Sequence, residues 1–222
     1  MPVYRITQLG AVNAYLVEED DGLTLIDTLM QGGQKRILAA AETAGAPIRR
    51  IALTHAHGDH IGSLDKLAAA LPDVEVLISA RDAKLLAKDK TPEPGEPADA
   101  KLRGGYTGTR TRPTATFAAG DKVGSLEVHA APGHTPGQVA FLDPRDGTLY
   151  CADAYSTIGG VATTAKPYLR FPLPGMATWH GPTALESAKA LRALDPQRLA
   201  PGHGKVVEGP GPEMDRAIAR GV

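Results

Sequence analysis

The stretch THAHGDH, residues 54–60, restricts the local backbone more than any other part of the chain. It contains three of the seven histidines in the 222-residue sequence, together with an aspartate. Residues two apart share a side only in extended backbone, whereas on a helix they point in nearly opposite directions. We therefore predict an extended segment that presents His55, His57 and Asp59 together, and a sharp turn at the intervening glycine that adds His60.

This crowding of imidazole and carboxylate groups indicates metal binding. Such groups are costly to bury, so packing alone gives no reason to concentrate them at the end of an apolar segment. A mixed set of nitrogen and oxygen ligands suits zinc, and also iron or manganese. Three further residues occupy similar positions after strand-like segments: His134 in PGHTPG, Asp153 at the end of TLYCAD, and His203 in PGHGK. The combined set of five histidines and two aspartates is enough for two metal ions.

Apolar segments of two kinds alternate along the chain and predict a mixed α/β fold. Short runs such as VYRITQL, NAYLVEE, GLTLIDT and IRRIALT have the length and composition of strands. Longer segments such as GGQKRILAAAETAG and TALESAKALRAL carry apolar residues at helical spacing. Each polar cluster follows a strand, which is how a rigid scaffold presents chemistry on its loops. The length of the chain favours one domain over residues 1–222.

Two irregular segments interrupt this pattern, at residues 89–114 and 155–182, and we expect both to shape a binding pocket. The first carries three arginines, which are either partners for an anionic substrate group or solvated loop charges, the interpretation that we favour: Arg103, Arg110 and Arg112. The second carries aromatic residues that either line an apolar acyl pocket or cover the core: Tyr155, Tyr168, Phe171 and Trp179. Among these we predict Tyr155 and Trp179 as substrate-binding residues, since Tyr155 lies two residues after Asp153.

Composition excludes several classes of partner. The formal net charge is -1, so neither nucleic acid nor an anionic membrane surface is favoured, and a small molecule is the expected partner. No run approaches the roughly 20 apolar residues of a membrane span, and the N-terminus does not resemble a signal peptide. Cys151 is the single cysteine, which excludes an intramolecular disulfide and favours the cytoplasm. The oligomeric state is left open.

Taken in order, the polar motifs resemble those of the metallo-β-lactamase superfamily. THAHGDH matches the H-x-H-x-D-H signature of that superfamily. Its other motifs are matched by LIDT at 25–28, PGHTPG at 132–137, CAD ending at Asp153, and PGHG at 201–204. The resemblance covers nearly the whole chain, and it implies a four-layer αβ/βα sandwich with the site at one edge of two sheets.

The resemblance also implies a role for each motif residue. One metal ion would be held by His55, His57 and His134, and a second by Asp59, His60 and His203. Asp153 would bridge the two ions, and Asp27 in LIDT would support the site without being a ligand.

The implied activity is that of a dinuclear, zinc-dependent hydrolase, with iron or manganese as alternative metals. A hydroxide held between two metal ions would attack the carbonyl of a small ester, thioester or lactone. We assign Asp59 a catalytic role, in which it orients that hydroxide and carries a proton to the leaving group.

Other functions of the same superfamily stay open at the level of sequence. A glyoxalase II-like thioesterase fits the same motifs. A persulfide dioxygenase-like oxidoreductase with a single iron would use the first two histidines, His134 and Asp153. A true β-lactamase is less favoured, because its residue at the bridging position is not normally aspartate. A binding module with purely structural metal ions is the least favoured, because the full donor set and the pocket-forming loops suit catalysis better.

Overall fold

The computed structural model describes residues 4–221, in which the strands form one mixed sheet. The strands are β1 Tyr4–Gln8, β2 Val12–Glu19, β3 Gly22–Ile26, β4 Ile48–Ala52, β5 Glu75–Ser79, β6 Ala115–Phe117, β7 Lys122–Val123, β8 Leu126–Ala130, β9 Val139–Asp143, β10 Thr148–Ser156, β11 Ala162–Thr163, β12 Arg198–His203 and β13 Val207–Glu208. The helices are α1 Gln34–Ala44, α2 Gly58–Ile61, α3 Leu64–Ala70, α4 Ala80–Leu86, α5 Leu173–Met176, α6 Gly181–Ala193 and α7 Gly211–Gly221. Within residues 4–221, no helix combines the length and the apolar character needed to cross a membrane.

The sheet consists of two halves that meet at a narrow junction. Its strand order is β6-β5-β4-β3-β2-β12-β10-β9-β8-β7, with β1 on β2, β11 on β10 and β13 on β12. Strands β2 and β12 are paired only through Val12 and His203. At this junction the sheet divides into a first half, β1 to β6, and a second half, β7 to β13.

The period-two alternation of each central strand separates the apolar core into layers. In β2, Leu16 packs on the helices of the first half, whereas Tyr15 faces the second half. In β10, Tyr150 faces the first half and Leu149 packs against α6 and α7. Apolar residues of both halves therefore form a central core between two helical layers. This arrangement confirms the four-layer αβ/βα sandwich that the motifs imply.

Helix α1 lies within the predicted helical segment GGQKRILAAAETAG and ends at the last residue of that segment, Gly45. Gly45 adopts a left-handed conformation with φ of 74°, and its N–H donates to the carbonyls of Ala41 and Glu42. This is the usual way to end a helix on glycine. The sequence does not predict strands β6, β7, β11 and β13, because segments of two or three residues carry too little alternation to detect.

A buried amide strengthens the narrow junction between the two halves. Asn13 in β2 is 1% exposed, and its Nδ2 donates to the carbonyl oxygens of Pro201 at 2.9 Å and Gly204 at 2.8 Å. The Tyr15 hydroxyl also donates to the Pro201 carbonyl, at 2.7 Å. These side chains supply hydrogen bonds that the short β2–β12 ladder lacks.

We expect Asn13→Asp to lower the free energy of unfolding by about 2–3 kcal/mol, because a carboxylate oxygen would face two buried carbonyl oxygens. Urea denaturation of the metal-free protein measures this change. Thr43→Ala is the control, since it removes an exposed hydrogen bond within α1 and should change the stability by less than about 0.5 kcal/mol. Similar losses in the two variants would show that the junction does not depend on the Asn13 amide.

Candidate metal centre

The seven donor side chains selected from the sequence lie together at one end of the two halves. Six of them are buried, whereas the Asp59 side chain is 36% exposed. Their nitrogen and oxygen atoms form two compact groups in which the donor atoms lie within 4.8 Å of one another: His55, His57 and His134 as the first group, and Asp59, His60 and His203 as the second group. Each group combines two residues that follow β4 with one residue from the second half of the sheet. The donor atoms of a further set, Asp27 with His55 and His60, also lie within 4.8 Å of one another.

The backbone of the THAHGDH stretch differs from the predicted extended segment. It is extended at His57, with φ of −73° and ψ of 146°, and helix α2 begins at Gly58. The His57 carbonyl then accepts from the N–H groups of His60 and Ile61. Asp59 therefore reaches the site from a helical turn, and the prediction that it continues the extended face of His55 is wrong.

Asp27 fixes the orientation of two histidines from outside the site. Its carboxylate accepts the Thr54 N–H and the Thr54 hydroxyl, both at 2.8 Å, and lies 2.7 Å from His60 Nδ1. The Thr54 oxygen also lies 2.9 Å from His55 Nδ1. Because the Thr54 hydroxyl donates to Asp27, His55 Nδ1 donates to Thr54. With a metal ion bound, both imidazoles would therefore direct an unprotonated Nε2 inward, whereas both oxygens of Asp27 already accept hydrogen bonds.

His57 and His134 are oriented in the same manner by other partners. His57 Nε2 lies 3.0 Å from the carbonyl oxygen of Arg103, which can only accept. His134 Nδ1 lies 3.1 Å from the Thr178 hydroxyl, which itself donates to a backbone carbonyl. The remaining nitrogens, His57 Nδ1 and His134 Nε2, face each other at 2.9 Å. Outward hydrogen bonds thus leave one inward lone pair on each ring.

Asp153 lies between the two donor groups. Its Oδ2 is 3.4 Å from His134 Nε2 in the first group and 3.1 Å from His203 Nε2 in the second group. Its Oδ1 is 3.5 Å from His60 Nε2. A Cβ atom on Gly202 would collide with this carboxylate and with the His60 ring, so the PGHG turn requires glycine here.

Several buried polar atoms at this centre have no hydrogen-bond partner: His55 Nε2, His60 Nε2, Asp153 Oδ1 and His203 Nδ1. An unpartnered buried polar atom costs about 1–3 kcal/mol, so such a concentration requires an explanation. Two of them, His60 Nε2 and Asp153 Oδ1, lie 3.5 Å from each other. Nitrogen and carboxylate donors in this number fit divalent metal ions.

The two donor groups differ in charge when no metal ion is bound. Burial and the neighbouring imidazoles lower the pKa of His55, and burial lowers the pKa of His57 and brings that of His134 to about 3. Burial also opposes charge on His60 and His203, but nearby carboxylates outweigh it and raise their pKa values to about 9 and about 10. The first group is therefore neutral at pH 7, whereas the second contains two imidazolium ions.

Asp82, which the sequence does not mark as a functional residue, is a fully buried carboxylate in the first turn of α4. Burial raises its pKa to about 6, although its donors favour the carboxylate form. Those donors are the Ala56 N–H at 2.9 Å, the Thr135 hydroxyl at 2.8 Å and the Gly137 N–H at 2.9 Å. No sequence signal identifies it, since its partners are mainly backbone groups far away along the chain.

A cavity of about 280 Å³ opens onto the donors. Both irregular segments contribute to it, as the sequence predicts. Residues 89–114 supply Gly104 and Gly105, and residues 155–182 supply Phe171, Leu173, Pro174 and Ala177; the other lining residues are Ala11, Val12, Met30, His57, Asp59, His134, Asp153 and His203.

Neither Tyr155 nor Trp179, the two predicted substrate-binding residues, lines this cavity. Tyr155 is fully buried in the core beneath α6, and its hydroxyl donates to the Ala188 carbonyl at 2.7 Å. Trp179 lines a separate cavity beside Lys101. The structure therefore places neither side chain at the cavity beside the donors. For Tyr155 the reason is that closeness to Asp153 along the chain does not determine which face of β10 a side chain occupies.

The three arginines of residues 89–114 also stay outside the cavity, which agrees with the favoured interpretation as loop charges. Arg103 contributes only its backbone carbonyl, to His57. Arg110 extends towards Asp65, and Arg112 donates to the carbonyl of Thr109.

Filling both donor groups with Zn²⁺ at pH 7 should release about two protons from His60 and His203, which must lose them to act as ligands, and about one more from a metal-bound water that ionises. Between pH 7 and pH 9 the loss of the two histidine protons should raise the overall affinity by about 100-fold per pH unit, and this contribution should level off above the pKa values of these two histidines. Calorimetric titrations in buffers of different ionisation enthalpy count the protons. His203→Gln should release about one proton fewer than the wild type, and release of no protons by the wild type would contradict the assigned charges.

Comparison with known proteins agrees with this geometry. The family model of the metallo-β-lactamase superfamily matches residues 7–203. The uncharacterized protein YobT of Bacillus subtilis (strain 168) is 43% identical over 222 residues, which cover 98% of this chain and 95% of YobT. A hydroxyacylglutathione hydrolase of Thermosynechococcus vestitus is 31% identical over 157 residues, covering 69% of this chain and 52% of that relative. This chain thus matches about half the length of the hydrolase.

A solved structure has the same architecture. The protein TTHA1623, crystallised in a di-iron-bound form, superposes with a TM-score of 0.68 and 28% sequence identity, over 95% of this chain and 96% of the other. The matched family model spans the THAHGDH stretch, His134, Asp153 and His203. The chain belongs to the metallo-β-lactamase superfamily.

Proposed function

We propose that the protein is a dinuclear metal-dependent hydrolase of small esters, thioesters or lactones. The observation that carries this proposal is the pair of three-residue donor groups with Asp153 between them. The first group would hold one ion, the second group would hold the other, and Asp153 would contact both. In the overall reaction, water adds to the acyl carbon, the bond to oxygen or sulfur breaks, and the alcohol or thiol leaves with a proton.

When bound, two such ions supply a nucleophilic hydroxide at neutral pH and polarise the carbonyl that it attacks. The protein side chains hold the site in place and manage the protons. Asp59 is suited to this task because its carboxylate is both partly exposed and part of the cavity wall. In the metal-free protein His60 and His203 lower its pKa against the effect of burial, so the group is ionised. An ionised carboxylate in this position could accept a proton and pass it to the leaving group.

Two relatives support this function through what their names state. The Thermosynechococcus vestitus relative is named a hydroxyacylglutathione hydrolase, although the match covers 52% of its length. TTHA1623 was crystallised with two iron ions, which favours two occupied sites here over one. We propose zinc as the native metal, with iron or manganese as the alternatives.

The main alternative is an oxidoreductase with a single iron, like the persulfide dioxygenases. The complete second group, Asp59 with His60 and His203, argues against it, because a single iron would leave these donors without a role. Metal analysis of protein purified without added metal separates the two functions. Two zinc ions per chain support the hydrolase, and one iron per chain with no hydrolysis of ester, thioester, lactone or β-lactam substrates would overturn it.

We further propose a cytoplasmic protein that acts on a small molecule without a nucleic acid or membrane partner. The near-neutral net charge and the single cysteine, Cys151, which is buried, support this view. Fractionation of the native host tests it, and recovery with the membrane or with nucleic acid would contradict it.

Asp59→Asn should lower kcat by about 10²-fold or more with little change in KM, because an amide cannot carry the proton. The loss should be greater for an alkyl ester, whose alkoxide requires a proton, than for an activated aryl ester. Steady-state kinetics with both substrates, on protein shown to retain two metal ions, measure this. Full turnover of the alkyl ester by such protein would exclude the proton-transfer role.

Removal of the metal ions should abolish hydrolysis and also destabilise the fold, since the buried donors would again lack partners. Dialysis against a chelator, followed by activity assays and thermal denaturation, tests both effects. Readdition of Zn²⁺ should restore activity and melting temperature together. Hydrolysis that continues at full rate in metal-free protein would exclude the proposed function.

A further inference from the structure

The cavity beside the donors has a consistently apolar wall away from them. Met30, Phe171, Leu173, Pro174 and Ala177 form most of that wall. Within residues 4–221, no lysine or arginine lines the cavity, and its only carboxylates are Asp59 and Asp153.

Cationic side chains on neighbouring segments are directed elsewhere. Arg170 donates to the carbonyl of Gly159 at 3.0 Å, and Arg5 donates to the carbonyl of Gly204 at 2.8 Å. Metal ions in the donor groups would act on the reacting carbonyl. The rest of the substrate would contact the apolar wall, where an ionised group would lose its hydration without gaining a partner.

The apolar wall continues outward onto the surface. Leu173 is 63% exposed although it lines the cavity, and Met176, on the same short helix, is 57% exposed. Exposed apolar side chains are ordinary when they are isolated, but a group that continues a cavity wall indicates a binding surface. Phe171 forms the inner part of this wall, with its ring 5.6 Å from that of His203.

We propose that the substrate is uncharged beyond the bond that is hydrolysed, and that its apolar acyl group packs against Phe171 and Leu173. This inference rests on the proposed hydrolase function. The cavity volume of about 280 Å³ lies at the lower end of ligand sites, so it suits a short acyl chain with its end against Leu173. The anionic tripeptide of a glutathione thioester does not fit this chemistry.

The first experiment compares p-nitrophenyl esters from acetate to octanoate on the metal-loaded protein. Each methylene up to hexanoate should raise kcat/KM by about twofold to fourfold, the upper value being that of a fully buried CH2. The half-ester of adipic acid matches hexanoate in chain length but ends in a carboxylate, and it should react at least about tenfold more slowly. A flat chain-length profile, or faster reaction of the adipate half-ester, would overturn the proposal.

Substitutions of Leu173 then locate the effect. Leu173→Asp should lower kcat/KM for the hexanoate ester by at least about tenfold more than it lowers kcat/KM for the acetate ester, and Leu173→Lys should shift the preference towards the adipate half-ester. The control is the same pair of substitutions at Leu169, which is 94% exposed and lies outside the cavity wall. Equal effects at the two positions would refute the assignment of the acyl site to Leu173.

Acetate separates this inference from the function on which it rests. Failure to hydrolyse p-nitrophenyl acetate or any other ester, thioester or lactone removes the proposed function. Metal-dependent hydrolysis of p-nitrophenyl acetate, without a preference for longer apolar acyl chains, would refute only the inference about the substrate.

A second inference concerns Asp82, and the hydrogen bonds of its carboxylate carry it independently. Ala56 lies between His55 and His57, and Thr135 follows His134, so the carboxylate joins both loops of the first group. We infer that Asp82 is a positioning residue that sets the separation of these loops and hence the metal affinity of the first group. This role also rests on the proposed metal assignment.

Asp82→Asn provides the test because it preserves volume but replaces one oxygen by a donor. In either orientation its NH2 group would face a backbone N–H, that of Ala56 or that of Gly137. We expect Zn²⁺ affinity at the first group to fall by about 10- to 100-fold, and the visible absorption of Co²⁺ bound there to change.

Asp65 offers a closely matched control away from the site. Its carboxylate accepts the N–H groups of Arg110 and Thr111 and the Thr111 hydroxyl. Asp65→Asn should lower stability but leave metal affinity and the Co²⁺ spectrum unchanged. If Asp82→Asn does not fold, Thr135→Val removes a single donor and should weaken Zn²⁺ binding in the same direction. If Asp82→Asn loses stability but keeps the Co²⁺ spectrum and the Zn²⁺ affinity of the wild type, Asp82 has only a structural role and the inference is wrong.

Discussion

The outward hydrogen bonds of the buried histidines are the interaction on which the rest of the site depends. Imidazoles can be placed in an apolar interior only if one nitrogen has a fixed partner, and that partner also decides which nitrogen faces inward. The pairing of parallel strands supplies one such arrangement. Ile26 of β3 lies beside Ala52 of β4, so Asp27 and Thr54, which follow these strands, meet and together orient His55 and His60.

Much of the fold can be predicted from the sequence, because the layers depend on the alternation of side chains between the two faces of each strand. Leu16 and Tyr15 point to different cores for the same reason that the strand pattern can be detected at all. The donors are also predictable, since each lies in the C-terminal half of an apolar strand, as Asp153 and His203 do, or in the segment that follows one. The helical turn that contains Asp59 cannot be predicted from the residue pattern. It begins only at Gly58, where hydrogen bonds to the His57 carbonyl replace the extended geometry.

The positions of other side chains depend on local irregularities that no periodic pattern contains. Ala152 has a left-handed backbone with φ of 48°, and the register of β10 against β12 shifts on both sides of it. The side chain of Tyr155 therefore enters the core beneath α6, whereas that of Asp153 faces the donors. Asp82 cannot be predicted for a different reason. Its carboxylate accepts hydrogen bonds from backbone N–H groups, which every residue type except proline has, so the amino-acid sequence contains no pattern that reveals them.

The narrow junction between the two halves has a consequence for how the chain is held together. Both donor groups take two members from the segment after β4 and one from the second half, His134 or His203. Neither the first group nor the second group is complete within one half, so each bound ion would act as a crosslink between the halves, much as a disulfide links distant segments. Metal binding and the stability of the junction are then thermodynamically linked, so loss of the ions would weaken the attachment of one half to the other.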